Sequence, residues 1–131
     1  MTTFESNTTI NKPVHEVYQF LADMNNHQQL MPDNIINWSS TVDEASFNIP
    51  NMVKLVLRIK ERITDSEIKI FPVQQPPFNL DLKWVLTPSG QQTEVLFAIN
   101  ADLNIMMKTL ASRPLQKLVD EEIANLASLL N

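Results

Sequence analysis

The spacing of the apolar residues changes along the 131-residue chain, and the order of these changes constrains the fold most strongly. Residues 3–11 alternate with a period of two and contain many β-branched side chains, which is typical of a strand. Asn11 and Pro13 then suit the start of a helix, and apolar residues recur at helical spacing over residues 14–21. A second short helix is predicted at about residues 25–30.

The middle of the chain predicts an antiparallel sheet, because residues 35–101 keep a strand-like pattern interrupted by turn signals. The longest regular strand is predicted over residues 52–63. The segment 74–77, QQPP, cannot lie in a central ladder, since proline donates no backbone hydrogen bond. Residues 78–86 alternate strictly, and the turn at residues 87–90 leads into a partner strand.

Residues 104–130 return to helical spacing in one long apolar stripe, which Pro114 is expected to kink or split. A helix of this length must cover the apolar face of the predicted strands. The strands follow one another in hairpin order. We therefore predict an α+β fold: a curved antiparallel sheet of about seven strands grips a long C-terminal helix, and two short helices follow strand 1.

The chain contains a single glycine, Gly90, and no cysteine, which excludes several classes of site. Dinucleotide-binding fingerprints and P-loops need several glycines within a few residues, where the backbone approaches a phosphate. Without cysteine there can be no disulfide, thiolate metal site or cysteine nucleophile. His15 and His27 are the two histidines, and neither has a nearby pair of acids, so no metal and no cofactor is predicted.

The charge and hydropathy patterns limit the partners. The formal net charge is −5, which disfavours binding to nucleic acid. No apolar segment approaches 18 residues and no signal peptide is visible, so we expect a cytoplasmic protein without an integral membrane segment. The length predicts one domain over residues 1–131, and the oligomeric state stays open.

Three segments carry a resemblance to a known superfamily: residues 10–23 (INKPVHEVYQFLAD), the hairpin at residues 78–95, and the final helix from residues 113–115 (RPL) to Leu130. In this order they resemble the SRPBCC superfamily, which includes START lipid-transfer domains, birch-pollen-allergen-like proteins and polyketide cyclase/dehydrase-like domains. The resemblance implies a helix-grip fold with an apolar ligand in a cavity between the sheet and the last helix. Some members catalyse reactions there, but the superfamily has no universal catalytic set, so no catalytic residue is assigned.

The first functional hypothesis is binding, and possible transport, of a small hydrophobic or amphipathic molecule such as a lipid, an isoprenoid or a polyketide-like ring. Apolar lining would supply the affinity and a few polar groups would set the orientation. The bulk of the inward-facing side chains predicts a modest or partly filled cavity. The predicted ligand-binding residues are Trp38, Phe47, Leu55, Leu57, Leu80, Leu82, Trp84, Phe97, Met106 and Leu110.

The polar candidates are Glu61, His27 and Tyr18. Glu61 faces the concave side of the sheet if its strand is regular, whereas a β-bulge would turn it outward. His27 could contact a ligand or act as a base, or it could be an ordinary surface histidine. An alternative function is a cyclase- or dehydratase-type enzyme, which requires two of these groups to converge. A third hypothesis is a protein-interaction module.

Overall fold

The computed structural model describes residues 1–49, 54–73 and 78–131. Across these ranges it contains two α-helices, one 3₁₀ helix and seven strands. The helices are α1 (Val14–Leu21), the 3₁₀ helix (Met24–Leu30) and α2 (Ile105–Leu130). The strands are β1 (Thr2–Ile10), β2 (Ile36–Ser40), β3 (Glu44–Asn48), β4 (Lys54–Ile63), β5 (Glu67–Pro72), β6 (Leu80–Ser89) and β7 (Gln92–Ala101).

The seven strands form one antiparallel sheet in the order β1-β7-β6-β5-β4-β3-β2. Strands β2 to β7 follow each other as a meander, whereas β1 pairs with the last strand, from Thr2 opposite Ala101 to Ile10 opposite Thr93. The α+β class, the curved sheet with its long C-terminal helix and the two short helices after β1 are thereby confirmed. The start of the predicted strand at residues 52–53 and the segment 74–77 lie outside the described residues.

The C-terminal helix α2 is a single helix of 26 residues, so the predicted split at Pro114 is wrong. The helix loses only the one hydrogen bond that a backbone N–H at this position would donate to the Leu110 carbonyl. Its first turn is capped by Asn104, whose side-chain oxygen accepts a hydrogen bond from the Met107 N–H at 2.8 Å. None of the helices in the described ranges is both long and apolar enough to cross a membrane.

The β6–β7 hairpin turns at the single glycine. Ser89 pairs with Gln92, so the turn consists of Gly90 and Gln91. Residues 87–89 of the predicted turn at residues 87–90 belong to β6 instead. Gly90 has a φ of +63°, the left-handed conformation expected of it.

The core lies between the concave face of the sheet and one face of α2, with α1 and the 3₁₀ helix packed against it. The largest fully buried side chains are the aromatic rings of Trp84, Phe47 and Phe97. Bulky rings in a strongly curved sheet fill space that would otherwise remain open. This packing sets the size of the cavity described next.

Candidate functional site

A small cavity lies between the sheet and the C-terminal half of α2. Its volume is about 10 Å³, which is about the minimum that one water molecule requires. It is therefore largely filled by its own walls, in line with the predicted modest cavity. The lining residues are Met24, His27, Met31, Trp38, Phe47, Leu57, Ile70, Leu82, Trp84, Phe97 and Glu122.

Most of the predicted ligand-binding residues lie at or near this cavity. Those that line it are Trp38, Phe47, Leu57, Leu82, Trp84 and Phe97. Leu55 and Leu80 are buried in the same core but do not line the cavity. Contact of any of these residues with a ligand stays a prediction.

The placement of Met106 and Leu110 in the interior is wrong, since 73% and 62% of their surfaces are exposed. The buried face of α2 runs through Ala111, Leu115 and Leu118, which recur at the helical period. At 100° per residue, Met106 and Leu110 fall on the opposite side of the helix. Their apolar character suggested burial, but the phase of the helix turns them to the surface.

Two stacked aromatic pairs form walls of the cavity. The rings of Trp84 and Phe97 lie 4.1 Å apart at an angle of 8°. The rings of Trp38 and Phe47 lie 5.4 Å apart at 18°. The indole N–H of Trp38 donates to the Ser40 hydroxyl at 3.0 Å, whereas the buried indole N–H of Trp84 has no partner among the described residues. Trp84, which lines the cavity, thus carries a buried donor that has no partner in the described part of the chain.

His27 is buried at the cavity with only 2% of its surface exposed, so the surface alternative is wrong. Its Nε2 lies 2.8 Å from the Leu21 carbonyl oxygen, which can only accept. Nε2 must therefore carry the proton, and Nδ1 is an acceptor in the neutral ring. Burial lowers the pKa of His27 to about 4, which keeps the ring neutral at pH 7.

Glu122 is the polar cavity residue that the sequence analysis missed. It projects from α2 with 2% of its surface exposed, and burial raises the pKa of its carboxyl well above the ordinary range. A raised pKa favours the uncharged acid, which can both donate and accept a hydrogen bond. The signal was its spacing: Glu122 lies four residues after Leu118 and four before Leu126, on the apolar stripe.

Glu61 lies outside the cavity because β4 contains a bulge. Ile59 pairs with Ile70, but Glu61 pairs with Lys69, so Lys60 is the extra residue. The bulge turns Glu61 outward, as the alternative prediction stated. The Glu61 Oε1 lies 3.2 Å from the Lys69 Nζ. The predicted convergence of Glu61 with His27 is therefore absent.

Tyr18, the third polar candidate, is half-buried on α1 and does not line the cavity. Of the three predicted polar groups, His27 alone borders it. The set proposed for a cyclase- or dehydratase-type site is thus not assembled.

The same bulge brings Arg62 toward the inner side of the sheet, opposite Ile68. Its Nε and Nη2 donate to the Ala22 carbonyl at 3.0 and 2.8 Å, and Nη2 lies 2.9 Å from an Asp43 carboxylate oxygen. Ala22 joins α1 to the 3₁₀ helix. Arg62 therefore anchors the segment that leads into His27.

Met31 separates the inner cavity from a groove on the surface, because it lines both. The groove has a volume of about 370 Å³, and polar residues of α2 such as Lys117 and Glu121 lie along it. The end of the 3₁₀ helix is held to α2 by the Asn125 side-chain amide, which donates to the Leu30 carbonyl at 2.8 Å. Among the residues that the structure describes, no group of three His, Asp or Glu side chains is placed to hold a metal ion.

The sequence itself matches no protein-family model and no curated protein. Solved structures with the same architecture do exist. XoxI from Bacillus cereus is 12% identical, with 99% of this chain and 96% of that chain covered and a TM-score of 0.77. A START superfamily protein from Mycobacterium smegmatis is 12% identical over 97% and 98% of the two chains, with a TM-score of 0.67.

A third structure is that of BexL, a di-domain ARO/CYC protein from the BE-7585A biosynthetic pathway. It is 16% identical, with 98% of this chain and 46% of that chain covered and a TM-score of 0.71. At these identities the likeness establishes the fold. The chain has a helix-grip fold, as the sequence predicted.

Proposed function

We propose that the protein binds a small hydrophobic or amphipathic molecule in the cavity between the sheet and α2. The aromatic walls would contact its apolar part, and Trp84, His27 and Glu122 would receive its polar group. The observation that carries the proposal is the buried indole N–H of Trp84, which has no partner within the described residues.

A buried hydrogen-bond donor without a partner destabilises the folded state. Leaving one without a partner costs about 1–3 kcal/mol, and nearly all buried polar groups in native proteins are paired. Trp84 lines the same cavity as Glu122 and His27. A carbonyl or hydroxyl oxygen of a ligand would satisfy Trp84.

The present volume of about 10 Å³ holds no more than about one water, so a ligand must enlarge the cavity. Met24 and Met31 are suited to this, because unbranched thioether side chains repack easily. Met31 also borders the outer groove. We propose that a ligand enters there, and transport would require it to leave by the same route.

Native mass spectrometry of the purified protein tests for a co-purified ligand, and a titration with the neutral carbonyl-bearing dye prodan tests for binding. Prodan emission should rise and shift to the blue as the dye enters the cavity. Trp84→Phe keeps a large ring but removes the N–H, so the dye should bind about fivefold more weakly, the value of one hydrogen bond.

Trp38→Phe is the matched control, since the Trp38 N–H already donates to Ser40. It should leave the dye affinity within about twofold, less than the value of one hydrogen bond. Failure to detect either a co-purified molecule or prodan binding would overturn the proposal. Equal losses in the two variants would refute the role of the Trp84 N–H.

A further inference from the structure

The first turns of α2 expose three large apolar side chains. The exposed fractions are 90% for Ile105, 73% for Met106 and 62% for Leu110. None of the three lines the cavity, so the proposed function does not account for them. Exposed apolar side chains that cluster on one element are typical of an interaction surface.

Every charged residue in the helical segment around this cluster is a cation. Residues 103–119 contain the cations Lys108, Arg113 and Lys117 and no acid, although the whole chain carries a net charge of −5. Ion pairs in the described part of the molecule involve none of these three cations. The segment is thus a local cationic region on an acidic protein.

The apolar and cationic side chains share one face of the helix. Met106, Leu110, Arg113 and Lys117 follow each other at i, i+4, i+7 and i+11, and all four are exposed. They form a line about 16 Å long, apolar at the N-terminal end and cationic further on. Apolar side chains next to lysine and arginine are the pattern of helices that lie at a membrane surface.

We propose that this face of α2 docks on a membrane surface that contains anionic lipids. Ile105, Met106 and Leu110 enter the boundary between headgroups and acyl chains, while Arg113 and Lys117 contact lipid phosphates. An acidic protein would satisfy the cations but would not account for apolar side chains exposed at the tip of the helix. The inference does not depend on the ligand cavity.

Acidic residues define the limits of this face. Asp102 precedes α2, and Asp120 and Glu121 follow the cationic stretch. Glu5 on β1 lies beside the helix, since the Gln116 amide donates to its backbone carbonyl at 3.4 Å. Repulsion between these carboxylates and the lipid phosphates confines the contact to the N-terminal half of α2.

Co-sedimentation with vesicles tests the proposal. The protein should bind phosphatidylcholine vesicles that contain phosphatidylglycerol, should not bind phosphatidylcholine alone, and should be released by added salt. The double variant Arg113→Gln/Lys117→Gln should bind about 25-fold more weakly, since each surface cation contributes roughly a factor of five. The matched control Lys12→Gln/Lys60→Gln removes two exposed cations elsewhere and should keep most of the binding.

A separate pair of variants tests the apolar side chains of this face. Met106→Gln/Leu110→Gln should weaken vesicle binding about tenfold, whereas Leu129→Gln, at the other end of α2 and 47% exposed, should not. Circular dichroism establishes that each variant is folded. Absence of vesicle binding, or equal losses in the two cation variants, would overturn the proposal. Tight binding to soluble polyglutamate would also overturn the proposal if the Met106→Gln/Leu110→Gln variant bound it equally tightly. That result would indicate an acidic protein partner.

Discussion

His27 should make the protein lose stability as the pH falls from about 6.5 to 4. Its pKa is about 4 in the folded state against a usual 6.5. In this range the unfolded chain takes up a proton that the buried ring does not, so acid favours the unfolded state. Each pH unit corresponds to 1.36 kcal/mol, and the loss at pH 4 reaches about 3 kcal/mol.

The substitution His27→Gln isolates this contribution. The glutamine amide can still donate to the Leu21 carbonyl, but it does not titrate. Urea denaturation at a series of pH values gives the free energy of unfolding of both proteins. Between pH 7 and pH 4 the wild type should lose about 3 kcal/mol more than the variant, because all other groups titrate alike and cancel.

The exposed His15 supplies the control. His15→Gln removes the other imidazole, whose Nδ1 lies 2.8 Å from an Asp65 carboxylate oxygen, and leaves His27 in place, so the loss that depends on His27 should remain. Parallel curves for the wild type and His27→Gln would refute the reasoning, since they would mean that the folded protein protonates His27 as readily as the unfolded chain. An NMR titration of the two imidazole rings checks the pKa directly.

Glu122 changes the stability in the opposite direction. Because the pKa of its carboxyl is raised in the folded state, stability falls as the pH rises above about 4.5, by about 1.4 kcal/mol per unit until the folded pKa is reached. Glu122→Gln should therefore gain on the wild type with rising pH in urea denaturation, and a constant difference would contradict the burial of the acid. Gly90→Val should cost about 1–2 kcal/mol in thermal unfolding, entirely from its positive φ, because an added Cβ meets nothing within 4 Å. Gly90→Asn should cost less, and equal melting temperatures for all three proteins would show that the turn has another conformation in solution.

The fold could be predicted from sequence because its signals are long and mutually consistent. The period-two pattern of residues 78–86 became β6, and the helical stripe after Asp102 became α2. Element order then left few arrangements in which one long helix covers the sheet. Local spacing was sufficient for these two elements, because each buries one face along most of its length.

The site was harder to predict, because small shifts in the phase of a strand or helix decide which of its side chains face inward. One extra residue in β4 turns Glu61 outward and brings Arg62 toward the inner side of the sheet. His27 follows amides that suggest a surface, yet the 3₁₀ helix stacks it between Met24 and Leu30 at a spacing of three. Glu122 could have been found from its position on the apolar stripe, whereas the bulge has no local sequence signal.

The pairing of β1 with β7 determines when the sheet can be completed. Thr2 lies opposite Ala101, so β1 finds its partner only after most of the chain has been synthesised. At a synthesis rate of about 5–20 residues per second, β1 remains without its partner strand for roughly 5–20 s. Phe4 and Ile10 are its two large apolar side chains among threonine, serine, asparagine and glutamate. Because of this polar composition, β1 has little tendency to aggregate before β7 has been synthesised.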